Sequence, residues 1–533
     1  MTNISSSSPQ IKLNDKEKLL CNLIRKYVDY YNSTNTTVHS DNDETEDQLV
    51  ARITGGWVRD KLLNKDSHDL DIALNKMSGE LFASNLQQFY IKHHLAGLPP
   101  DALNNSTIAK IKKNPEKSKH LETATTTILG LDIDFVNLRN ESYGDDSRIP
   151  VITCGTPRED AMRRDATLNA LFYNITTEKI EDFTGKGLQD LKLGILRTPL
   201  PPLKTFLDDP LRILRLIRFS STYRNFKLDE AIIKCLKENN DALNQALINK
   251  ISKERIGIEL SKIFSTVEST KIGLKLLCDN HLINSIFYHG LSPEVIQFNS
   301  THTNLLKTLH EIYDGNKLSD NIMGNIVNET SNFQFFSNEQ FFAENKSLTP
   351  TECNEILTLS VILSIFSEIN IYPNPLKKPT FKINLSDWII RENLKYSKKI
   401  YTTVEVLVSN IEIFEKTFEF LYNDNVSVPK RSDIGLELLK YKDYLPLAIK
   451  LNEILYKKGT KIGDYIESLD LMDVCQLKLL MNGKEIAKFI NKKPGPWMKK
   501  INDQVLRWQL DNPKLGKDDL LVYLRDLPQS MFD

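Results

Sequence analysis

The chain has 533 residues, 40% hydrophobic and 26% charged, a balance that excludes whole-chain disorder and allows several packed cores rather than one. Lys and Arg number 69 against 70 Asp and Glu, so the formal net charge of −1 excludes a globally basic surface; any nucleic-acid partner must be held by local patches. The six cysteines (Cys21, Cys154, Cys235, Cys278, Cys353, Cys475) are scattered without a CxxC pair, which excludes a disulfide framework or a zinc site of that type and fits a reducing compartment.

No apolar run is long enough to span a bilayer, and the start MTNISSSSPQ lacks the apolar core of a secretory signal, so an intracellular protein with no membrane partner is expected. That Ser-rich, acid-poor start carries only a weak transit-peptide signal, with no arginine before Arg25. Along the chain, KLLCNLIRKYVDYY has helical spacing and is followed by a polar loop, TNTTVHSDNDETED. Residues 52–199 then turn β-rich, with short runs in RITGG, DLDIAL, TTTILGLDIDFVNL, NALFYNI and GILRTP, and read as one α/β unit. Beyond Thr205 helical periods take over, in DDPLRILRLIRF, ISKERIGIELSKIF and TKIGLKLL. Interruptions at YPNPLKKP, VSVPKRSD and KKPGPW read as linkers between helical subdomains.

The segment RITGGWVRDKLLNKDSHDLDIAL implies strand, turn and helix in that order. Gly55 and Gly56 allow close backbone approach to a ligand, the amides of the next helix can hold a triphosphate, and Arg59 lies one turn on as a cationic clamp. Asp69 and Asp71, two apart on a strand, project from one face and can share metal. Such a pair would suit two Mg²⁺ ions that clamp the attacking and leaving oxygens of nucleotidyl transfer. A third acid, Asp134 in DIDFVNL, sits on another strand with Asp132 on the same face; Asp134 is the preferred third member of the cage. A DxD pair in isolation reads as a solvated strand end, and it is the surrounding segments that favour chemistry here.

GGWVRD followed by HDLDIA resembles the signature of the DNA polymerase β superfamily of nucleotidyltransferases, and more closely the CCA-adding enzymes of eukaryotes and bacteria, with the look of a fungal member. The likeness continues in order through EDAMRRDATLNALFY, EDFTGKGLQDL, FLDDPLRILRLIRF and SKERIGIEL, covering residues 52–264. It implies an α+β fold: an N-terminal nucleotidyltransferase head with a small mixed sheet and helices, followed by an all-helical neck, body and tail. The expected boundaries are 1–45 for an N-terminal helix and loop, 46–200 for the head, 201–290 for the neck, 291–460 for the body and 461–533 for the tail.

In RRDATLNALF, Arg163 and Arg164 are cationic donors for phosphate and Asp165 can accept a hydrogen bond from a ribose 2′-hydroxyl; the resemblance assigns ribose recognition to Asp165 with Arg164. A surface Arg–Asp cluster is the equal alternative from these residues alone. In DDPLRILRLIRF, Asp209 can cap a helix whose first residue is Pro210, and Arg212 follows one turn later. Acceptor and donor together fit the edges of cytosine and adenine, whereas uracil and guanine put a carbonyl where the amino group should be. Arg215 and Arg218 extend the spacing, either reaching phosphates or forming a solvated face paired with Asp208 and Asp209.

Kinship also implies a hinge at Gly185, Gly187 and Asp190, where a plain turn explains the glycines equally well, and a neck motif at Glu254, Arg255 and Glu259, where Arg255 and Glu259 are spaced for a helical pair. KIKKNPEKSKH reads as a basic loop, which the resemblance makes a flexible element near the site. GKEIAKFINKKPGPWMKKINDQVLRWQ resembles the family's tail; its lysines suit tRNA phosphates, and Trp497 and Trp508 read equally well as core. The expected enzyme adds CCA to tRNA from CTP and ATP with Mg²⁺, as a monomer, and kinship permits cytoplasm, nucleus and mitochondrion. Its rivals are a poly(A) polymerase of the same superfamily and a catalytically silent tRNA-binding protein.

Overall fold

The computed structural model describes residues 9–35, 48–67, 69–93, 109–111, 123–142, 150–223, 225–288, 297–298, 348–367, 370–372, 383–528 and 531. The polar loop at 36–47, His68, most of the basic loop KIKKNPEKSKH and most of the YPNPLKKP linker lie outside the described residues. Two compact units divide the chain, Met1–Glu259 and Leu260–Asp533.

The first unit is built on a seven-stranded mixed sheet in the order β3-β4-β5-β2-β1-β8-β9. Its strands are β1 (Ala51–Thr54), β2 (Asp69–Leu74), β3 (Ala109–Ile111), β4 (Thr123–Ile128), β5 (Leu131–Asn137), β8 (Leu171–Asn174) and β9 (Lys179–Asp182); β6 (Arg139–Ser142) and β7 (Val151–Cys154) form a separate hairpin. Only β2 and β5 run parallel; the other neighbours are antiparallel. The expected run TTTILGLDIDFVNL is in fact two strands, because Leu129 and Gly130 both take positive φ (56° and 72°) and fold it into a tight hairpin.

Strand alternation puts Leu70, Ile72 and Leu74 of β2 on one face, where they join Ile53, Ile133 and Phe135 in the core. Helices α1 (Asp15–Thr34) and α3 (Gly79–His93) add Leu20, Ile24 and Tyr27, and Phe82 and Leu86, to that core; the rings of Tyr27 and Phe82 sit edge-on 5.2 Å apart. The other face of β2 carries Asp69, Asp71 and Ala73. Thus the helix expected ahead of the head belongs to the head's own core.

One buried charge fixes α1 to α2 (Gly56–Leu62), the helix that follows the glycine turn. Glu17 is 1% exposed; its Oε2 accepts from the Asn14 amide at 2.8 Å in a capping box, and its Oε1 accepts from Lys61 Nζ at 2.8 Å and from Trp57 Nε1 at 3.2 Å. With both oxygens engaged by three donors, the carboxylate is compensated, and removing it strands the Lys61 ammonium.

Further helices of this unit are α4 (Pro157–Met162), α5 (Gly187–Leu193), α6 (Pro202–Asp208), α7 (Leu211–Thr222), α8 (Glu230–Glu238) and α9 (Asn240–Lys250); α10 (Lys253–Ile263) begins in it and runs past its end at Glu259. The GILRTP strand does not join the main sheet. Ile195–Leu196 pairs in parallel with Lys227–Leu228. Among the described residues the second unit is helical apart from a small three-stranded ladder of Gln297–Phe298, Asn370–Tyr372 and Ile383–Asn384. In its C-terminal part Trp497 is buried with Ile486, Ile501 and Leu520, and Trp508 stacks on Tyr523 at 5.6 Å, so both tryptophans serve packing. No helix among the described residues is long and apolar enough to cross a membrane.

Two outcomes follow for stability. Glu17→Ala should destabilise the first unit by about 3 kcal/mol or more, whereas Glu17→Gln, whose one oxygen can still accept from Trp57 and Lys61, should lose clearly less; urea unfolding measures both. In the second unit Asp387 has a buried Oδ1 with no hydrogen-bond partner, and burial, reinforced by Glu405, pushes its carboxyl up to about 7. Because the folded form holds this proton more tightly than the unfolded chain, stability should fall as pH rises from about 4 to about 7 and then level. Asp387→Asn should gain stability over the parent at pH 8 and little at pH 4, a difference readable in urea melts at the two pH values.

Candidate active site

Strand β1 runs into Gly55, whose φ of 76° and ψ of −138° only glycine adopts without strain, and α2 starts at Gly56. A side chain at Gly55 would also meet Arg164 Nη1 at 3.3 Å and Asp71 Oδ2 at 3.8 Å, so the turn lies against a cation and an acid that are far away in sequence. Antiparallel pairing sets Thr54 opposite Asp71, and the parallel ladder of β2 with β5 sets Asp71 beside Asp134 and Asp69 beside Asp132. Asp134 accepts from the Thr125 hydroxyl at 2.6 Å, and Asp132 from Thr127 at 3.0 Å.

Burial raises the Asp71 carboxyl above its ordinary value, Arg164 opposes this, and the charges of Asp134 and Asp69 add to it. The three acids therefore feel one another across the sheet face. As placed, no three His, Cys, Asp or Glu side chains among the described residues stand close enough to hold a metal ion.

A cavity of about 580 Å³ opens over this face. Eight arginines and four aspartates line it: Arg59, Arg139, Arg163, Arg164, Arg212, Arg215, Arg218 and Arg255, with Asp71, Asp160, Asp165 and Asp209; Thr54, Gly55, Gly56 and Asn169 complete its polar wall. Asp69 and Asp134 are not part of that wall. The excess of guanidinium charge suits a polyanion.

Most of these arginines are tied down. Asp160, 2% exposed, accepts from Arg163 Nη2 at 2.6 Å and from Arg164 Nη2 at 2.7 Å, and Glu141 accepts from Arg163 Nη1 at 2.9 Å. Burial works to raise the Asp160 carboxyl, but the charges of Arg164 and Arg163 overcome it and hold the group at about 2. Asp165, also buried, accepts from Arg215 Nε at 2.7 Å and from Asn169 Nδ2 at 2.9 Å. Against its burial, Arg215 and the Asn169 hydrogen bond bring it likewise to about 2. Asn169 turns its Oδ1 to Arg59 Nη1 at 2.6 Å and so joins Asp165 to Arg59.

The structure bears out the sequence expectation for the start of α7 and corrects two others. Pro210 already has helical φ and ψ (−61° and −21°) while Asp209 is extended, and the Asp209 carboxylate caps the helix by accepting from the Leu211 amide at 3.2 Å. Arg215 and Arg218 do not pair with Asp208 and Asp209: Arg215 goes to Asp165, and Arg218 to Glu259 at 2.6 Å, because the helix faces α10 and the RRD segment. Arg255 and Glu259, expected to pair with each other, pair instead with Asp209 at 3.4 Å and with Arg218. Arg212, 7% exposed, is steadied by the Thr205 carbonyl at 3.3 Å, with Glu141 3.8 Å away. Asp190, from the expected hinge, is buried and accepts from Thr167 Oγ1 at 2.7 Å and from Arg197 Nε at 3.2 Å.

The cavity thus brings together Gly55, Gly56, Arg59, Asp71, Arg164, Asp165, Asp209, Arg212, Arg215 and Arg218. Sequence reading missed Asp160, Asn169, Glu141 and Arg255 as parts of the site. Asp160 stands four residues before Arg164 and Asn169 four after Asp165, a spacing that hinted at both; nothing local pointed to Glu141.

A family model described as "Poly A polymerase head domain" matches residues 51–197, and one described as "Probable RNA and SrmB- binding site of polymerase A" matches residues 225–296. The chain is 39% identical to the mitochondrial CCA tRNA nucleotidyltransferase of Candida glabrata, over 97% of each chain. It is 40% identical to that of Saccharomyces cerevisiae, over 98% of this chain and 95% of the relative. A solved CCA-adding enzyme without ligand shares the fold with a TM-score of 0.61 at 16% identity, over 96% of each chain. With 39–40% identity sustained over nearly the full length of both yeast relatives, the chain belongs to the CCA tRNA nucleotidyltransferases.

Proposed function

We propose that this chain builds or repairs the 3′-terminal CCA of tRNA, transferring CMP, CMP and AMP from CTP and ATP to the tRNA 3′-hydroxyl without a nucleic-acid template, with release of pyrophosphate. One observation carries the reading: a glycine turn, Asp71 of β2, the buried Asp165 and the pair Asp209 and Arg212 all open into one arginine-rich cavity.

The division of labour is as follows. Gly55 and Gly56 admit the triphosphate to the amides of α2, and Arg59 and Arg164 meet its oxygens. Asp165 accepts from the ribose 2′-hydroxyl; with Arg215 and Asn169 each taking one of its oxygens, lone pairs remain for this third donor. Arg215 therefore acts by orienting Asp165, and Arg218 is engaged with Glu259. Asp209 and Arg212 present the edge that cytosine and adenine satisfy; with Arg212 nearly enclosed, uracil or guanine would leave buried polar groups unpaired.

Asp69 and Asp71 are the proposed metal ligands, with Asp134 the third catalytic acid beside Asp71. Mutual repulsion of these acids across the sheet face supports a cation there, and the all-oxygen donors suit Mg²⁺, which characteristically takes one or two carboxylates and completes its shell with water and substrate phosphate. When bound, it supplies charge neutralisation at the phosphate and a lowered pKa for the attacking hydroxyl. The protein's own contribution is to orient the nucleotide against the tRNA end and to reject the wrong base.

Residues 201–290 act as neck, 291–460 as body and 461–533 as a tRNA-binding tail, and the chain works as a monomer. The yeast relatives' names support the mitochondrion; cytoplasm and nucleus complete the proposed distribution. The head's description keeps poly(A) polymerase as the rival. Offering tRNA that lacks CCA with each NTP singly and all together, then sequencing the products, separates the two: CCA ends support the reading, and A tails overturn it.

Asp69→Ala and Asp71→Ala should each lower the addition rate by at least about 100-fold while tRNA affinity stays near the parent value, measured by single-turnover assay and filter binding. Near-normal rates would remove them as metal ligands. Arg212→Ala should reduce discrimination against UTP and GTP from roughly 10⁴-fold toward roughly 10²-fold, read as kcat/KM ratios. Unchanged ratios would remove Arg212 as the base reader.

A further inference from the structure

Tyr223 caps the C-terminal end of α7, and its side chain reaches across to α2. Its hydroxyl donates to Asp60 Oδ1 at 2.9 Å, and its ring centroid lies 5.2 Å from the Arg59 guanidinium. Phe219, one turn earlier on α7, sets a second ring 5.2 Å from the same guanidinium, and Lys65 Nζ stands 3.9 Å from the Tyr223 ring. Asp60 accepts from Arg59 Nε at 2.9 Å and from Arg59 Nη2 at 2.8 Å.

A guanidinium on a flexible stem has no intrinsic preference for one plane; its carboxylate partner sets the plane, and whatever holds the carboxylate sets it in turn. Here Asp60 fixes Arg59, and Tyr223 holds Asp60. Arg59 lines the substrate cavity together with Gly55 and Gly56, and its Nη1, turned away from Asp60, donates to Asn169 Oδ1 at 2.6 Å on the same wall. Burial pushes the Tyr223 phenol up to about 12, so its proton stays on the oxygen at every working pH.

We propose that Tyr223 is a positioning residue for nucleotide binding: through Asp60 it sets Arg59, and so holds the phosphate end of the site on α2 at a fixed spacing from the base-reading edge at the start of α7. This rests on the assignment of Arg59 to the phosphates and of Asp209 and Arg212 to the base. A site that measures the distance from base to triphosphate needs its two helices held in register, and the Tyr223–Asp60 bond joins them directly.

The test uses the full-length enzyme with Tyr223→Phe, which removes the hydroxyl and keeps the ring. KM for CTP and for ATP should both rise, by about three- to ten-fold, with kcat, KM for tRNA and the melting temperature close to the parent values. Because the hydroxyl acts through Asp60, the double variant Asp60→Asn/Tyr223→Phe should bind nucleotide no more weakly than Asp60→Asn alone. Additive losses would overturn that route, and a fall in melting temperature with all kinetic constants shifting together would reduce Tyr223 to packing. Arg59→Lys separates the two levels of the argument. If it raises the nucleotide KM while Tyr223→Phe does not, the role of Tyr223 fails and that of Arg59 stands; if Arg59→Lys also leaves KM unchanged, the phosphate assignment itself fails.

Discussion

Carboxylates holding arginines in place are the constraint on which the rest of the site depends. Eight guanidinium groups around a cavity of about 580 Å³ would repel one another and scatter their long side chains, so the fold must supply opposite charge behind them. It does so with Asp60 behind Arg59, Asp160 behind Arg163 and Arg164, Asp165 behind Arg215, Glu259 behind Arg218 and Asp209 beside Arg255. Each tether removes side-chain freedom before the nucleotide arrives, so less ordering entropy is charged against binding. The tethers also have to stay ionised. Asp160 and Asp165, both brought against burial to about 2 by the arginines they hold, keep their charge well into the acid range.

The same tethers link the parts of the site. Asn169 donates to Asp165 and accepts from Arg59, so the acid assigned to the ribose and the cation assigned to the phosphates share one amide. Arg215 brings α7 to Asp165, and Tyr223 brings the other end of α7 to Asp60. Helix α2, only seven residues long, gains little rigidity from its own hydrogen bonds. It is held instead by Glu17 of α1 on Lys61 and Trp57, and by Tyr223 of α7 on Asp60. Position in this site is set by neighbouring elements more than by the element that carries the residue.

That distinction explains what could be read from the sequence. The glycine turn, the Asp69–Asp71 pair and the helix bearing Arg212, Arg215 and Arg218 depend on strand alternation and helical period, which are local, and each was recognisable in one dimension. Partners were not. Arg218 meets Glu259 across 41 residues and Arg215 meets Asp165 across 50, so the helical-period alternative of pairing with Asp208 and Asp209 was the natural expectation and the wrong one. Two strand details escaped for related reasons. Leu129 and Gly130 look apolar and continuous with their neighbours until their positive φ angles are known, and Ile195–Leu196 finds its partner in Lys227–Leu228, beyond two helices. Helix α1 was visible as a helix but not as part of the head, because only the packed core reveals that Leu20, Ile24 and Tyr27 complete it.

Template-free selection of two bases places a demand on this design that a one-base enzyme would not face. Cytosine and adenine differ in size, so an edge that accepts both cannot rely on a close-fitting wall; it has to hold its donor and acceptor at fixed angles while the ring behind them changes. Arg212 is steadied by the Thr205 carbonyl from the preceding helix, and Asp209 by the Leu211 amide and Arg255, so both groups are anchored to backbone or to charge rather than to the shape of the pocket. An edge held in this way is what the proposed reading of both bases by Asp209 and Arg212 requires.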